Sequence, residues 1–171
     1  IGRWSKSVGD NSKFGLSIPE IMSTIEELKE ANLINEMKLL HFHIGSQISD
    51  IAVIKDALQE ASQIYVELCK IGAPMKYIDV GGGLGIDFDG TKTSSNTSTN
   101  YSLQNYANDV IATIKDSCEL NNIAHPTIIS ESGRAIISHC SVLIFNVLGT
   151  SHVSSKLQIF DKKNQQLIIS N

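Results

Sequence analysis

The chain has little of what marks several large classes of protein. No apolar run approaches the roughly 20 residues needed to cross a bilayer, and no basic-then-apolar leader opens the sequence, so a membrane partner is not expected. No basic block exists either. With 14 Lys+Arg against 18 Asp+Glu, a formal charge of -4 and a pI near 5.7, nothing could neutralise a run of phosphates, which excludes a general nucleic-acid binder. Cysteine is sparse: Cys69, Cys118 and Cys140 form no CxxC and no even set, which fits a reducing, cytoplasmic compartment and core roles for all three. Asn96-Thr97-Ser98 and Asn100-Tyr101-Ser102 match the glycosylation pattern, but without a secretory signal both read as chance. What remains is an ordinary globular composition, 42% hydrophobic and 19% charged over 171 residues, suited to small-molecule partners.

Along the chain, helix and strand signals alternate. Ser17-Ile18-Pro19-Glu20 predicts a helix start with Ser17 as cap, and Ile21, Ile25 and Leu28 supply its apolar face until about Asn32. Met37 to His43 predicts a buried strand. Ile54, Ala57, Leu58, Ala61, Ile64, Tyr65 and Leu68 give a second helical stripe, stopped by Gly72 and Pro74. A strand follows over Lys76 to Val80. Thr91 to Asn100 holds no apolar residue and by composition alone could be a linker. A third helix runs from about Ser102 to before Pro126, and Thr127 to Ser130 predicts a third strand. From residue 139 on no helix is expected; Val142 to Leu148 reads as a longer strand, and Leu157 to Phe160 with Leu167 to Ile169 as a hairpin. Such alternation points to a parallel α/β domain followed by the entry into a different, all-β domain.

In parallel α/β architectures ligands sit at the carboxyl ends of the strands. Here all three strands end in unusual polar residues: His43 with Ser46, then Asp79-Val80-Gly81-Gly82-Gly83-Leu84-Gly85, then Glu131-Ser132-Gly133-Arg134. Four glycines in five residues after a strand can bring several backbone N–H groups onto one anion, usually a phosphate. Ser46 and Arg134 add a hydroxyl and a guanidinium to that set of donors. Glu131 lies three residues from Arg134, so a plain salt bridge is the simpler explanation for that pair. His41 and His43, two apart on a strand, are either the start of a metal-hydrolase site or stacked and core histidines. The second is favoured, because His125, His139 and His152 show no ligand-like spacing. A phosphate cradle, a carboxylate and a flat aromatic partner are together the parts list for pyridoxal phosphate.

At these residues the chain resembles the alanine-racemase-fold (fold-type III) pyridoxal-phosphate decarboxylases, and among them the branch of biosynthetic arginine enzymes. Four motifs carry the resemblance: Ser12-Lys13-Phe14-Gly15-Leu16, Leu40-His41-Phe42-His43-Ile44-Gly45-Ser46-Gln47, Asp79 to Gly85, and Glu131-Ser132-Gly133-Arg134-Ala135. Their order and separation agree over essentially the whole chain. The resemblance implies that His43 stacks on the pyridoxal ring, Ser46 bonds the phosphate, and Gly81, Gly82 and Gly83 give N–H groups to it. It implies that Glu131 pairs with the pyridine nitrogen, that Arg134 closes the phosphate site, with Ser132 and Gly133 between them, and that Leu84, Gly85 and Asp87 lie near substrate on an active-site loop from Ile86 to Asn100.

The implied architecture is part of a (β/α)8 TIM barrel, with residues 1–138 the C-terminal half of the cofactor-binding barrel and 139–171 the beginning of a C-terminal β-domain. The implied reaction is decarboxylation of L-arginine to agmatine and carbon dioxide in polyamine synthesis, by an enzyme that is at least a dimer. Magnesium is associated with the arginine branch, but no site for it is legible. The family's Schiff-base lysine lies upstream of Ile1, and none of the lysines present stands in a comparable context. The chain therefore reads as an internal fragment, inactive alone, with no catalytic residue of its own to name. Ornithine or diaminopimelate decarboxylation, a metal hydrolase built on His41 and His43, and a non-catalytic homologue are the alternatives.

Overall fold

A computed structural model describes residues 14–151, 158–161 and 166–169. Helix α1 (Ile18–Glu30) starts at Ser17, whose amide donates to Glu20 Oε2 at 2.7 Å, so the first-turn carboxylate satisfies a backbone donor left open at the helix start. Strand β1 (Leu39–His41), helix α2 (Ile51–Lys70), strand β2 (Tyr77–Asp79), helix α3 (Leu103–Leu120) and strand β3 (Thr127–Ile129) follow. The three strands form one parallel sheet in the order β1-β2-β3. Asp50 caps α2 by accepting from the Ala52 amide, and Ser102 and Asn105 cap α3 reciprocally.

Alternation along the short strands decides what faces what. Leu40, Ile78 and Ile128 stand side by side in the register and pack on the core, where Ile78 is fully buried. The helical stripe of Ile54, Leu58, Tyr65 and Leu68 on α2 meets Val110, Ile114 and Cys118 of α3 in that same core, and Ile25 of α1 joins it. Burial raises the Tyr65 hydroxyl far above its ordinary pKa. The opposite sheet face carries Leu39, His41, Tyr77, Asp79, Thr127 and Ile129; of these all but the buried Asp79 are exposed.

The structure corrects one expectation, for Val142 to Leu148, and adds detail at two other places. A short helix α4 (Gly133–Ile137) follows β3, in a stretch to which the sequence assigned no element; five residues are too few for a periodic signal. Val142 to Leu148 belongs to no strand, and its apolar side chains are open to solvent. A strand needs a neighbour to bond, and this run has none among the described residues. Residues 91–100, which by composition alone could be a linker, fold back on the loop after β1 through Asn100 N–H on Ser49 O and Ser49 Oγ on Ser94 O, as a loop of the site's own region. The chain divides between Cys140 and Ser141; in the second unit β4 (Gln158–Asp161) and β5 (Gln166–Ile169) form an antiparallel pair, while Leu157 of the expected hairpin lies outside the described residues.

Candidate cofactor site

The three loops at the carboxyl ends of the strands are stitched together by backbone hydrogen bonds. From β1, the Ile48 amide donates to Gly83 O, and Gly85 returns its own to Ile48 O. On the other side Val80 N–H bonds Ile129 O and Glu131 N–H bonds Gly81 O at 2.8 Å. The glycine turn thus lies between two neighbouring chains with no room for side chains. A Cβ on Gly81 would overlap Phe42 O, one on Gly82 the Glu131 carbonyl, and one on Gly83 the Gly45 carbonyl; Gly83 also has φ +87°.

What the turn's amides do separates the glycines. Gly81 N–H is already taken by Asp79 Oδ1 at 2.9 Å, and Gly85 N–H by both Ile48 O and the Tyr101 hydroxyl. Gly82 and Gly83 donate to nothing among the described residues. A cleft of about 190 Å³ opens beside them, lined by His43, Gly45, Ser46, Gly83, Leu84, Glu131, Ser132, Arg134 and Ala135. Gly82 lines a small apolar cavity next to it, with Phe42 and Tyr106. No ion pair joins Glu131 to Arg134 among the described residues, so the simple salt bridge is not formed and both charges are left for something else.

Gly85 and Asp87 do not reach the cleft. Ser98 is fully buried and donates to Asp87 Oδ1 at 2.6 Å while accepting from the Thr93 amide. The Gln47 side chain bonds both the amide and the carbonyl of Ile86, and the Tyr101 hydroxyl donates to Ile48 O at 2.7 Å. The loop from 86 to 100 is accordingly a tied structure whose polar groups are spent internally.

His41 and His43 do different work. His43 lines the cleft, whereas His41 Nδ1 lies 3.0 Å from Asp79 Oδ2. His41, Asp79 and Glu131 form a cluster whose atoms lie within 4.8 Å of one another, and His43 is not in it. The sequence signal for Asp79 was its place two residues before the first glycine, where an Asp side chain closes a turn on the backbone.

The donor set suits a phosphorylated aromatic cofactor: two unpaired amides in a cradle that a Cβ would fill, a hydroxyl, a guanidinium, an imidazole face and a separate carboxylate. A parallel α/β sheet with such a site at its strand ends defines a class, and the model of the family described as pyridoxal-dependent decarboxylase, pyridoxal binding domain, matches residues 2–138. The chain belongs to that family. Over 170 residues it is 96% identical to the biosynthetic arginine decarboxylase of Prochlorococcus marinus strain AS9601, covering 99% of this chain and 26% of that protein. With the enzyme of the same description from Parasynechococcus marenigrum strain WH8102 it shares 66% over 156 residues, 91% of this chain and 24% of that one. Among solved structures, the biosynthetic arginine decarboxylase of Campylobacter jejuni matches at 42% identity and TM-score 0.65, over 71% of this chain and 20% of that chain. The diaminopimelate decarboxylase of Helicobacter pylori complexed with L-lysine matches at 28% and 0.58, over 74% and 28%. The chain spans about a quarter of the length of the curated relatives it matches.

Proposed function

We propose that this chain forms the phosphate and ring-nitrogen side of the cofactor site in an enzyme that decarboxylates L-arginine to agmatine and carbon dioxide. The observation that carries this reading is the cleft at the strand ends, where unpaired phosphate donors and an unpaired carboxylate meet inside the family's pyridoxal-binding region. When bound, pyridoxal phosphate supplies an electron sink for the pair left behind as the carboxylate departs. Ser46, Arg134 and the amides of Gly82 and Gly83 hold the phosphate; Gly81 acts through the turn it closes on Asp79. Glu131 accepts from the ring nitrogen and keeps a proton there, and His43 covers one ring face. Ser132 and Gly133 set the spacing between Glu131 and Arg134. Leu84 touches the cleft, while Gly85 and Asp87 support substrate only through the loop they brace.

Arginine is preferred over diaminopimelate because curated relatives at 96% and 66% identity are described as arginine decarboxylases, while the diaminopimelate decarboxylase of Helicobacter pylori matches at 28%. Residues 1–138 are assigned to the barrel and 139–171 to the start of a β-domain, which the end of the family match at residue 138 and the division after Cys140 support. No helix among the described residues is long and apolar enough to cross a membrane, and we assign the parent enzyme to the cytoplasm, as at least a dimer. Magnesium has no assigned residues.

The test is a full-length polypeptide made by exchanging this chain for the matching 170 residues of the AS9601 relative. Expected are a visible cofactor absorbance band that changes on adding arginine, and agmatine as product. Turnover of ornithine or diaminopimelate in preference to arginine, or no cofactor band, would overturn the assignment. The 171-residue chain alone is expected to release no carbon dioxide.

A further inference from the structure

The geometry points to His41 and Asp79 as a brace that fixes both ends of the cofactor site, positioning Glu131 on one side and the glycine turn on the other. This rests on the cofactor reading above. The brace follows from strand register. His41 and Asp79 are paired residues of β1 and β2, each the last of its strand, and both project from the sheet face opposite the core. Asp79 is buried and both its oxygens are committed: Oδ1 accepts the Gly81 amide at 2.9 Å, and Oδ2 meets His41 Nδ1 at 3.0 Å. One carboxylate therefore ties the start of the phosphate turn to an imidazole ring.

The ring in turn faces Glu131. A Glu131 carboxylate oxygen lies within 4.8 Å of both a His41 ring nitrogen and an Asp79 oxygen. Two carboxylates at that range repel, and the His41 imidazole, 3.0 Å from Asp79 Oδ2 and close to Glu131, offsets the repulsion. No group is hydrogen-bonded to the Glu131 side chain among the described residues; its backbone is anchored, by its amide to Gly81 O and by its carbonyl, which accepts from the Gly133 amide. An exposed glutamate with a free rotamer would lose entropy each time it met a ring nitrogen. His41 restricts that freedom beforehand, with Asp79 holding the ring in place. One imidazole and two carboxylates are also metal-ligand types, but with the Gly81 amide on one Asp79 oxygen and His41 Nδ1 beside the other the trio suits an electrostatic brace better than an ion site.

The experiment uses the full-length exchange polypeptide, stripped of cofactor and titrated with pyridoxal phosphate, reading affinity and the position of the absorbance band. His41→Phe is expected to weaken binding about ten-fold and to shift the band, because the imidazole beside the Asp79 and Glu131 carboxylates is lost. His41→Asn, which keeps a donor toward Asp79, should recover most of that loss. Asp79→Asn retains an acceptor for Gly81 but not for His41, and should match His41→Phe. The double variant should then be no weaker than either single one. Unchanged affinity and band in His41→Phe, or losses that multiply in the double variant, would overturn the brace. If His41→Phe fails to fold, the comparison of His41→Asn with Asp79→Asn decides by the same criterion. A wild-type exchange polypeptide without a cofactor band would instead sink the cofactor reading itself.

Discussion

Two stretches of this chain invert the usual relation between composition and burial. Residues 91–100 contain no apolar side chain, yet Ser98 is 0% and Thr99 7% exposed. Val142 to Leu148 is almost wholly apolar, yet Ile144 is 90% exposed and Leu148 fully so. The difference lies in where each finds its complement. Serine and threonine side chains find partners within the loop and on the loop after β1: Thr93 N–H on Ser98 Oγ, Ser98 on Asp87, Ser49 Oγ on Ser94 O. The Asn100 side chain meets the start of α2 through the Ile51 amide and Asp50. An extended apolar segment needs an adjacent strand and a facing layer, which no local contact can supply. Polar composition therefore marks a linker only where side-chain to backbone partners are missing.

The glycine turn carries the sharpest form of that lesson, because there the complement is backbone packed against backbone. Gly83 and Gly90 both have positive φ, +87° and +74°, but an added Cβ at Gly83 overlaps the Gly45 carbonyl, whereas at Gly90 it meets open space. Gly90→Ala is expected to cost about 1 kcal/mol from the backbone alone. Gly83→Ala should cost about 3 kcal/mol or more and abolish cofactor binding in the full-length polypeptide. Denaturant unfolding of both variants measures the difference; equal losses would mean that the close approach of the two loops is not made.

A smaller effect tests the inverted pair directly. Ser98→Val adds apolar surface at a fully buried site but strands the Thr93 amide and the Asp87 carboxylate, and is expected to cost about 1–3 kcal/mol. Ile144→Asn removes a large apolar side chain from solvent and should change stability by less than about 0.5 kcal/mol. If the valine variant proves the more stable and the asparagine variant the less, then composition, not partnership, governs both segments. Tyr101→Phe, which takes the hydroxyl from between Gly85 N–H and Ile48 O, should fall with Ser98→Val.

Much of this arrangement was legible in the sequence. Helices α1, α2 and α3 announce themselves through caps and apolar stripes, and the three polar strand ends fall at the same sheet edge because parallel connection demands it. What the residue string does not carry is which amide is already spent. Gly81, Gly82 and Gly83 are equivalent as letters; only the turn closed by Asp79 separates the first from the others. Likewise the spacing of His41 and His43 suggests a pair, while the register of β1 against β2 gives His41 to Asp79 instead. Substrate roles for Gly85 and Asp87 come from the resemblance alone; in the structure Gly85 N–H meets the Tyr101 hydroxyl and Asp87 accepts from Ser98, contacts that the residue string does not carry.

The outer end of that network titrates. Asp89 accepts from the hydroxyls of Thr97 and Thr91 and from the Thr91 amide, and these bonds, that of Thr97 foremost, hold its carboxyl down at about 2 from an ordinary 3.8. Because the folded value lies below the unfolded one, the contribution to loop order is fully present above the ordinary carboxylate range and is lost as pH falls toward 2. The site is open to water, so the effect on global stability is small and the loop is the place to look. Following the Asp89 carboxyl and the Thr97 amide by NMR during an acid titration should give a midpoint near 2, with the Ser98 amide unmoved until the chain unfolds. A midpoint near 3.8 would mean the threonines do not hold the carboxylate. The tie of the polar segment would then rest on Ser98 and Asn100 alone, and the contrast with 142–148 would narrow to those two side chains.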